Sequence, residues 1–290
     1  MSERILIISD IHSNIEALDA VLEDSKQYGP YCKLLCAGDI VGYGPNPNEC
    51  IDRIKNDFIC VLGNHDRAVR GDGSFGFNDK AKWAVDHNKS ILTSSSLDFL
   101  KSLSPNPYWS EDNMSVLVHG SLDGIFEDTY VFSRTECEGC MQSSFRKEDG
   151  KIIHVPLIFV GHTHIPTLSF GWFEYSSFSD QEDYFSASTE TQFFKECTGS
   201  SKFQNFEFSL IKPYEFKSKS NVFPKLFFNP GSVGQPRNGH SEACYGVVEF
   251  DELSVKIFSN RVSYDFRKTQ QKMFAENFPP ALISRLSVGI

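Results

Sequence analysis

Arg4-Ile5-Leu6-Ile7-Ile8-Ser9-Asp10-Ile11-His12-Ser13-Asn14 is the stretch that decides the fold of this chain. Four aliphatic residues in succession predict a strand buried on both faces, the pattern of a sheet covered by other layers. The polar Ser9–His12 run follows without a break. Asn14 then suits the cap of a helix whose apolar positions, Ile15, Leu18, Val21 and Leu22, form one stripe. The unit repeats downstream. Lys33–Ala37 reads as a strand and ends in Gly38-Asp39; Asn46-Pro47 starts a helix, with Pro47 in its first turn. Phe58–Leu62 reads as a third strand and ends in Gly63-Asn64-His65-Asp66. This βαβαβ alternation predicts parallel strands, right-handed crossovers and a site at the carboxyl edge of the sheet.

Further on, 78–90 and 95–103 read as helices. The strand at Met114–Val118 ends in His119-Gly120, and that at Leu157–Val160 ends in Gly161-His162-Thr163-His164. From Thr167 the pattern changes. Val247–Phe250 and Val255–Phe258 predict strands of a second, antiparallel sheet, and Tyr264–Leu286 predicts a helical tail broken at Pro279-Pro280. Residues 170–222 have no helical period and are crowded with Trp172, Phe173, Tyr175, Phe178, Tyr184, Phe185, Phe193 and Phe194. We expect one domain over 1–290 with an aromatic-rich insertion of irregular hairpins at about 170–222. A lid or a partner surface is the other use of such a segment.

The chain has 290 residues, 40% hydrophobic and 23% charged, which suits a globular protein. Its formal charge of −10 disfavours a grip on long nucleic acid, but a small phosphorylated substrate remains compatible because bound cations would reverse the local field. No apolar run approaches the roughly 20 residues of a membrane span, and Ile5–Ile8 is too short for a leader. Eight scattered cysteines predict free thiols and a cytoplasmic setting. Cys137 and Cys140 form a lone CxxC on a predicted helix capped by Ser133 and Glu136, without the second pair that a structural zinc site needs.

The strand-end motifs hold five of the eight histidines. His12, His119, His162 and His164 offer nitrogen, Asp10 and Asp39 offer carboxylate, and Asn64 offers an amide oxygen. Seven such groups suit two divalent ions sharing one carboxylate, and the absence of Cys favours Mn, Fe or Zn at five or six coordination. The i, i+2 spacing of Asp10/His12 and of His162/His164 predicts extended segments that project both side chains to one side.

The order D-x-H, G-D, G-N-H-[DE], a strand-end histidine and G-H-x-H resembles the calcineurin-like metallophosphoesterase superfamily. The flanking Gly38–Pro45, Gly161–Pro166 and Asn229–Arg237 stretches resemble its YfcE-like prokaryotic branch. The resemblance spans 4–168 and 224–288. It implies an α/β sandwich of two facing mixed β-sheets flanked by helices. It also implies one metal on Asp10, His12 and His164, another on Asn64, His119 and His162, and Asp39 bridging them. His65 would sit over the substrate and, as an imidazolium, assist the leaving oxygen, with Asp66 either orienting it or serving as a structural turn aspartate. Arg237 is a candidate for a substrate phosphate. The implied activity is phosphodiester or phosphomonoester hydrolysis by a hydroxide shared between the ions. Protein phosphatases and dinucleoside tetraphosphatases extend Gly-Asp with Asp/Asn-Arg-Gly. This chain reads Gly38-Asp39-Ile40-Val41-Gly42-Tyr43-Gly44 and lacks both the acid and the arginine, which lowers the standing of those two activities. A non-catalytic scaffold using 170–222 as its partner surface is the rival from another class.

Overall fold

The computed structural model describes residues 3–74, 76–111, 114–124, 129–148, 151–178, 182–193, 202–209, 222–251 and 254–290. The βαβαβ start is present as β1 (Glu3–Ile8), α1 (Ile15–Ser25), β2 (Lys33–Cys36), α2 (Pro47–Ile54) and β3 (Ile59–Cys60). β1, β2 and β3 run parallel. Asn14 caps α1 by accepting from the Ala17 amide, and its Nδ2 also donates to the Gly234 carbonyl, which ties the helix start to a distant loop. Next come α3 (Asn64–Arg70), α4 (Asp79–Ile91), α5 (Ser94–Ser102), β4 (Tyr108–Trp109) and β5 (Ser115–Leu117). They are followed by α6 (Arg134–Gln142), which Ser133 and Glu136 cap reciprocally, and by β6 (Phe145–Glu148), β7 (Lys151–His154) and β8 (Leu157–Phe159).

The remaining elements are β9 (Thr167–Phe178), β10 (Glu182–Phe193), β11 (Lys202–Ser209), β12 (Val222–Asn229), β13 (Ala243–Phe250), β14 (Ser254–Val262), α7 (Phe266–Ala275) and α8 (Pro280–Arg285). One six-stranded sheet runs β11-β14-β13-β1-β2-β3 and the other β10-β9-β12-β8-β5-β4. Two mixed sheets flanked by helices are therefore the architecture, as the resemblance implies.

The burial of β1 explains its composition. Ile5 and Ile7 pack between the sheets with Leu117, Phe159, Phe228 and Val248, while Leu6 and Ile8 pack against α1 and α2. Each such side chain contributes roughly 1.5–3 kcal/mol through burial.

Two expectations need correction. β13 and β14 do not build a second sheet: β13 pairs antiparallel with β1, Val248 opposite Ile5, so both strands extend the first sheet. The described parts of the 170–222 segment pair antiparallel, as hairpins would, but as regular strands. β9 and β10 pair over twelve residues each, β9 also pairs with β12, and β11 pairs with β14. Its described parts thus lengthen both sheets at the edges away from β3 and β4 instead of covering the site as a lid. Phe194, one of the aromatics singled out there, lies outside the described residues. No helix among the described residues is long and apolar enough to cross a membrane.

Lys225 on β12 is fully buried, with Nζ donating to Ser144 Oγ at 2.5 Å and to the Val155 carbonyl at 2.9 Å, and 3.6 Å from the Phe145 ring centroid. Burial holds its pKa well below the usual lysine value. The unfolded chain therefore binds the proton more tightly, and wild-type stability should rise with pH in the range just below 10.5. Relative to Lys225→Met, the slope should reach up to roughly 1.4 kcal/mol per pH unit. Chemical denaturation of both proteins across that range checks this; parallel curves would contradict it.

Candidate metal centre

All five motifs sit immediately beyond strands: Asp10 and His12 after β1, Asp39 after β2, Asn64 after β3, His119 after β5, and His162 and His164 after β8. The extended segments expected at the i, i+2 pairs are absent. Asp10, His12, Asp39, His162 and His164 all adopt left-handed backbone, with φ of 53°, 48°, 52°, 68° and 61°. Each such residue costs on the order of 1–3 kcal/mol, and strain of this kind persists where the surroundings over-determine it. The tight loop after β8 sends His162 and His164 to different groups, whereas Asp10 and His12 after β1 enter the same one.

Two groups result. Asp10, His12, Asp39 and His164 form one, and Asp39, His119 and His162 the other. Asp39 belongs to both: its Oδ2 lies 3.6 Å from His12 Nε2 and 3.4 Å from His119 Nε2. The other oxygen, Oδ1, accepts from the His65 amide at 2.8 Å. Asp10 is arranged alike, with Oδ2 accepting from the His162 amide at 3.0 Å and Oδ1 buried without a hydrogen-bond partner, 3.2 Å from His164 Nε2. Asn64 joins the second group, its Oδ1 3.0 Å from His119 Nε2.

The tautomers set the polarity of this centre. His12 Nδ1 faces the Val41 carbonyl, His119 Nδ1 that of Ala37, and His164 Nδ1 that of Gln235. A carbonyl only accepts, so each Nδ1 carries hydrogen and each Nε2 presents a lone pair to the centre. Yet His12 Nε2 lies 3.1 Å from His164 Nε2, and His119 Nε2 faces the Asn64 acceptor oxygen. Lone pairs so opposed need positive charge between them, and divalent cations fit this donor set. A proton on His119 would answer the same need. Burial opposes a charged His119, but the charge of Asp39, its hydrogen bond and Asp10 prevail and push His119 up to about 10. Burial would raise Asp39, but the charges of His119 and His65 outweigh it and hold the carboxyl well below its usual range. Cation binding would release that proton.

His65, at the start of α3, stands beside the centre. Its ring contacts Tyr43 at 4.3 Å, Phe77 at 4.6 Å and His12 at 4.9 Å between centroids. Burial, with the charges of His164 and Arg237, lowers its pKa to about 4 despite Asp39. A ring with that value is neutral at pH 7, where the sequence reading expects an imidazolium. Asp66 does not orient it. One Asp66 oxygen accepts from the Val41 amide and the other from Gly63, while His65 Nδ1 is buried without a partner. Asp66 instead pins the β2 and β3 loops to α3, and burial followed by the Asp39 charge raises its pKa to about 7.

What places His65 is Gly42. At φ 92°, a Cβ there would lie 2.4 Å from His65 Nδ1. Gly42→Ala should displace the ring and lower turnover by about 10²-fold, the usual result of a misplacement near 1 Å. Metal analysis should show unchanged content, and equal turnover would contradict the placement.

The Asn229–Arg237 loop knits the centre together. Asn229 Nδ2 donates to the Gly161 carbonyl and Thr163 Oγ1, Ser232 Oγ donates to the Asp10 carbonyl, and Gln235 fixes His164. Arg237 lies beside His164: its amide donates to the His164 carbonyl, Nη2 to Gln235 Oε1, and Nε is buried without a hydrogen-bond partner. Tyr43 and Tyr130 escaped the sequence reading. Tyr130 stacks on His162 at 3.8 Å, and no local pattern marks it. Tyr43 carried a signal, since an aromatic between Gly42 and Gly44 at φ 55° marks a constrained turn.

Residues 3–166 match the calcineurin-like phosphoesterase family, and the chain belongs to that family. It is 34% identical over 291 residues to an uncharacterized protein of Methanocaldococcus jannaschii, with 98% of each chain covered. Among solved structures it is similar to a metallophosphoesterase from Sphaerobacter thermophilus, at 29% identity over the whole of both chains and a TM-score of 0.67. A hypothetical protein from Pyrococcus horikoshii shares the fold, at 19% identity, 99% and 98% coverage and a TM-score of 0.68.

Proposed function

We propose that this chain is a dinuclear-metal-dependent phosphoesterase that hydrolyses a small phosphodiester or phosphomonoester in the cytoplasm. The observation that carries this reading is Asp39 Oδ2, one carboxylate oxygen facing the Nε2 atoms of both ligand groups. Asp10, His12 and His164 would hold one ion and Asn64, His119 and His162 the other, with Asp39 between them. Two such ions, Mn, Fe or Zn, supply Lewis acidity that acidifies a water and offsets charge on the phosphoryl oxygens. Arg237 adds a fixed cation beside His164 for those oxygens. His65 donates a hydrogen bond toward the leaving oxygen from a ring that Tyr43, Phe77 and the bare Gly42 hold in place. The ring needs no positive charge for this. A buried N–H donor aimed where negative charge develops acts strongly in a site that excludes water.

The intact ligand set and His65 support catalysis over the scaffold reading. Purification with metal analysis, followed by Mn²⁺-supplemented assays on a monoester, a diester and cyclic nucleotides, tests it. Turnover of at least one class is expected. Two bound metals with no turnover of any would favour the scaffold.

A further inference from the structure

Beside the metal centre, on the His65 side, a cavity of about 370 Å³ opens between the start of α4 and α8. Tyr43, Asn78, Lys80, Ser284, Arg285 and Ile290 supply its polar and terminal lining. Tyr43 is the wall shared with the centre, since its ring also contacts His65 at 4.3 Å and His12 at 4.8 Å. Tyr43 is therefore the side chain common to the cavity and the centre.

Its charge runs against that of the chain. The net formal charge is −10, yet Lys80 and Arg285 line this cavity with no Asp or Glu among the described lining residues. The Arg285 guanidinium lies 5.8 Å from the Tyr43 ring centroid, and its Nε donates to the Ile290 main-chain oxygen at 2.5 Å. Among the described residues, neither Arg285 nor Arg237 pairs with a carboxylate side chain. Burial, and then the nearby Arg237 charge, hold Arg285 below its ordinary value. Like charges near one another are unfavourable, and a bound anion relieves them.

We propose that this cavity is the leaving-group subsite and that Arg285, with Lys80, binds a second anionic group of the substrate, a phosphate or carboxylate carried on the alcohol or phenol that departs past His65. The proposal rests on the phosphoesterase reading for the direction of departure. It adds a substrate class: esters whose leaving group is itself an anion. Arg237 faces the scissile phosphate and Arg285 the second charge, so the substrate would lie across Tyr43 with its two anionic groups on separate cations.

The test compares methyl 4-nitrophenyl phosphate with the same diester bearing a ring carboxylate, using metal-loaded wild type, Arg285→Gln and Arg285→Lys. For wild type, KM for the carboxylated ester should be lower by about tenfold or more, the range for one charge-assisted contact. The ratio of the two KM values should collapse toward one in Arg285→Gln and return in part in Arg285→Lys, with the effect in KM and not kcat. A second arm measures calorimetric binding of the free carboxylated nitrophenol and of 4-nitrophenol to the same three proteins. The charged phenol should bind more tightly to wild type, and Arg285→Gln should lose that difference. Equal binding of both phenols, or a preference that survives Arg285→Gln, overturns the proposal. The binding arm does not depend on turnover, so absent hydrolysis with intact binding counts against the phosphoesterase reading alone.

Discussion

Asp39→Asn is expected to abolish metal retention at both positions and to remove activity with it. The substitution keeps the size of the side chain and exchanges one oxygen for an NH₂ group. If the amide places its oxygen at Oδ1, where it can accept from the His65 amide, the NH₂ group meets His12 Nε2 at about 3.6 Å and His119 Nε2 at about 3.4 Å. A donor then stands where a shared carboxylate faced both groups, and the centre loses a negative charge. Loss of a residue that merely supports a ligand lowers metal affinity by roughly 10–100-fold. Loss of the shared carboxylate should exceed that for both ions together. Metal analysis after dialysis, beside turnover, gives the readout; full metal content in the variant would show that Asp39 does not join the two groups.

His65→Ala should lower turnover by about 10²–10⁴-fold while leaving metal content intact. The two readouts separate this position from Asp39 because His65 lies in neither ligand group. Its neutral ring also determines the pH response. A group already neutral near its pKa of about 4 does not lose a proton between pH 6 and 8, so turnover should show no step in that window attributable to this ring. An alanine variant with wild-type turnover would remove His65 from the chemistry. A variant that lost metal would move it into the ligand set.

The sequence revealed the first sheet's parallel half because β1 is aliphatic on both faces and each following strand ends in a ligand. It could not reveal the partners of β13 and β14. Alternation marks a strand, but the pairing of Val248 with Ile5 joins residues from opposite ends of the chain. β9 and β10 were missed for another reason. A stretch such as Ser186-Ala187-Ser188-Thr189-Glu190-Thr191 has no apolar alternation, and its strand state comes from pairing with β9. At the site, the ligating residues were legible because their types are costly to gather for any other purpose. Their geometry was not: the left-handed backbone of Asp10 and His164 comes from loops stitched by Ser232 and Gln235, far along the chain. Asp66 was open to two readings, an orienting partner for His65 or a turn aspartate, and its bonds to two amides fit the second. Arg285 gave no signal, since α8 reaches the site by tertiary packing.

The most direct measurement is electron paramagnetic resonance of the chain reconstituted with Mn²⁺, taken with quantitative metal analysis. Two groups that share the Asp39 oxygen predict two ions per chain and an exchange-coupled spectrum that disappears in Asp39→Asn. One ion per chain, or two that give only uncoupled mononuclear signals, would contradict a shared centre.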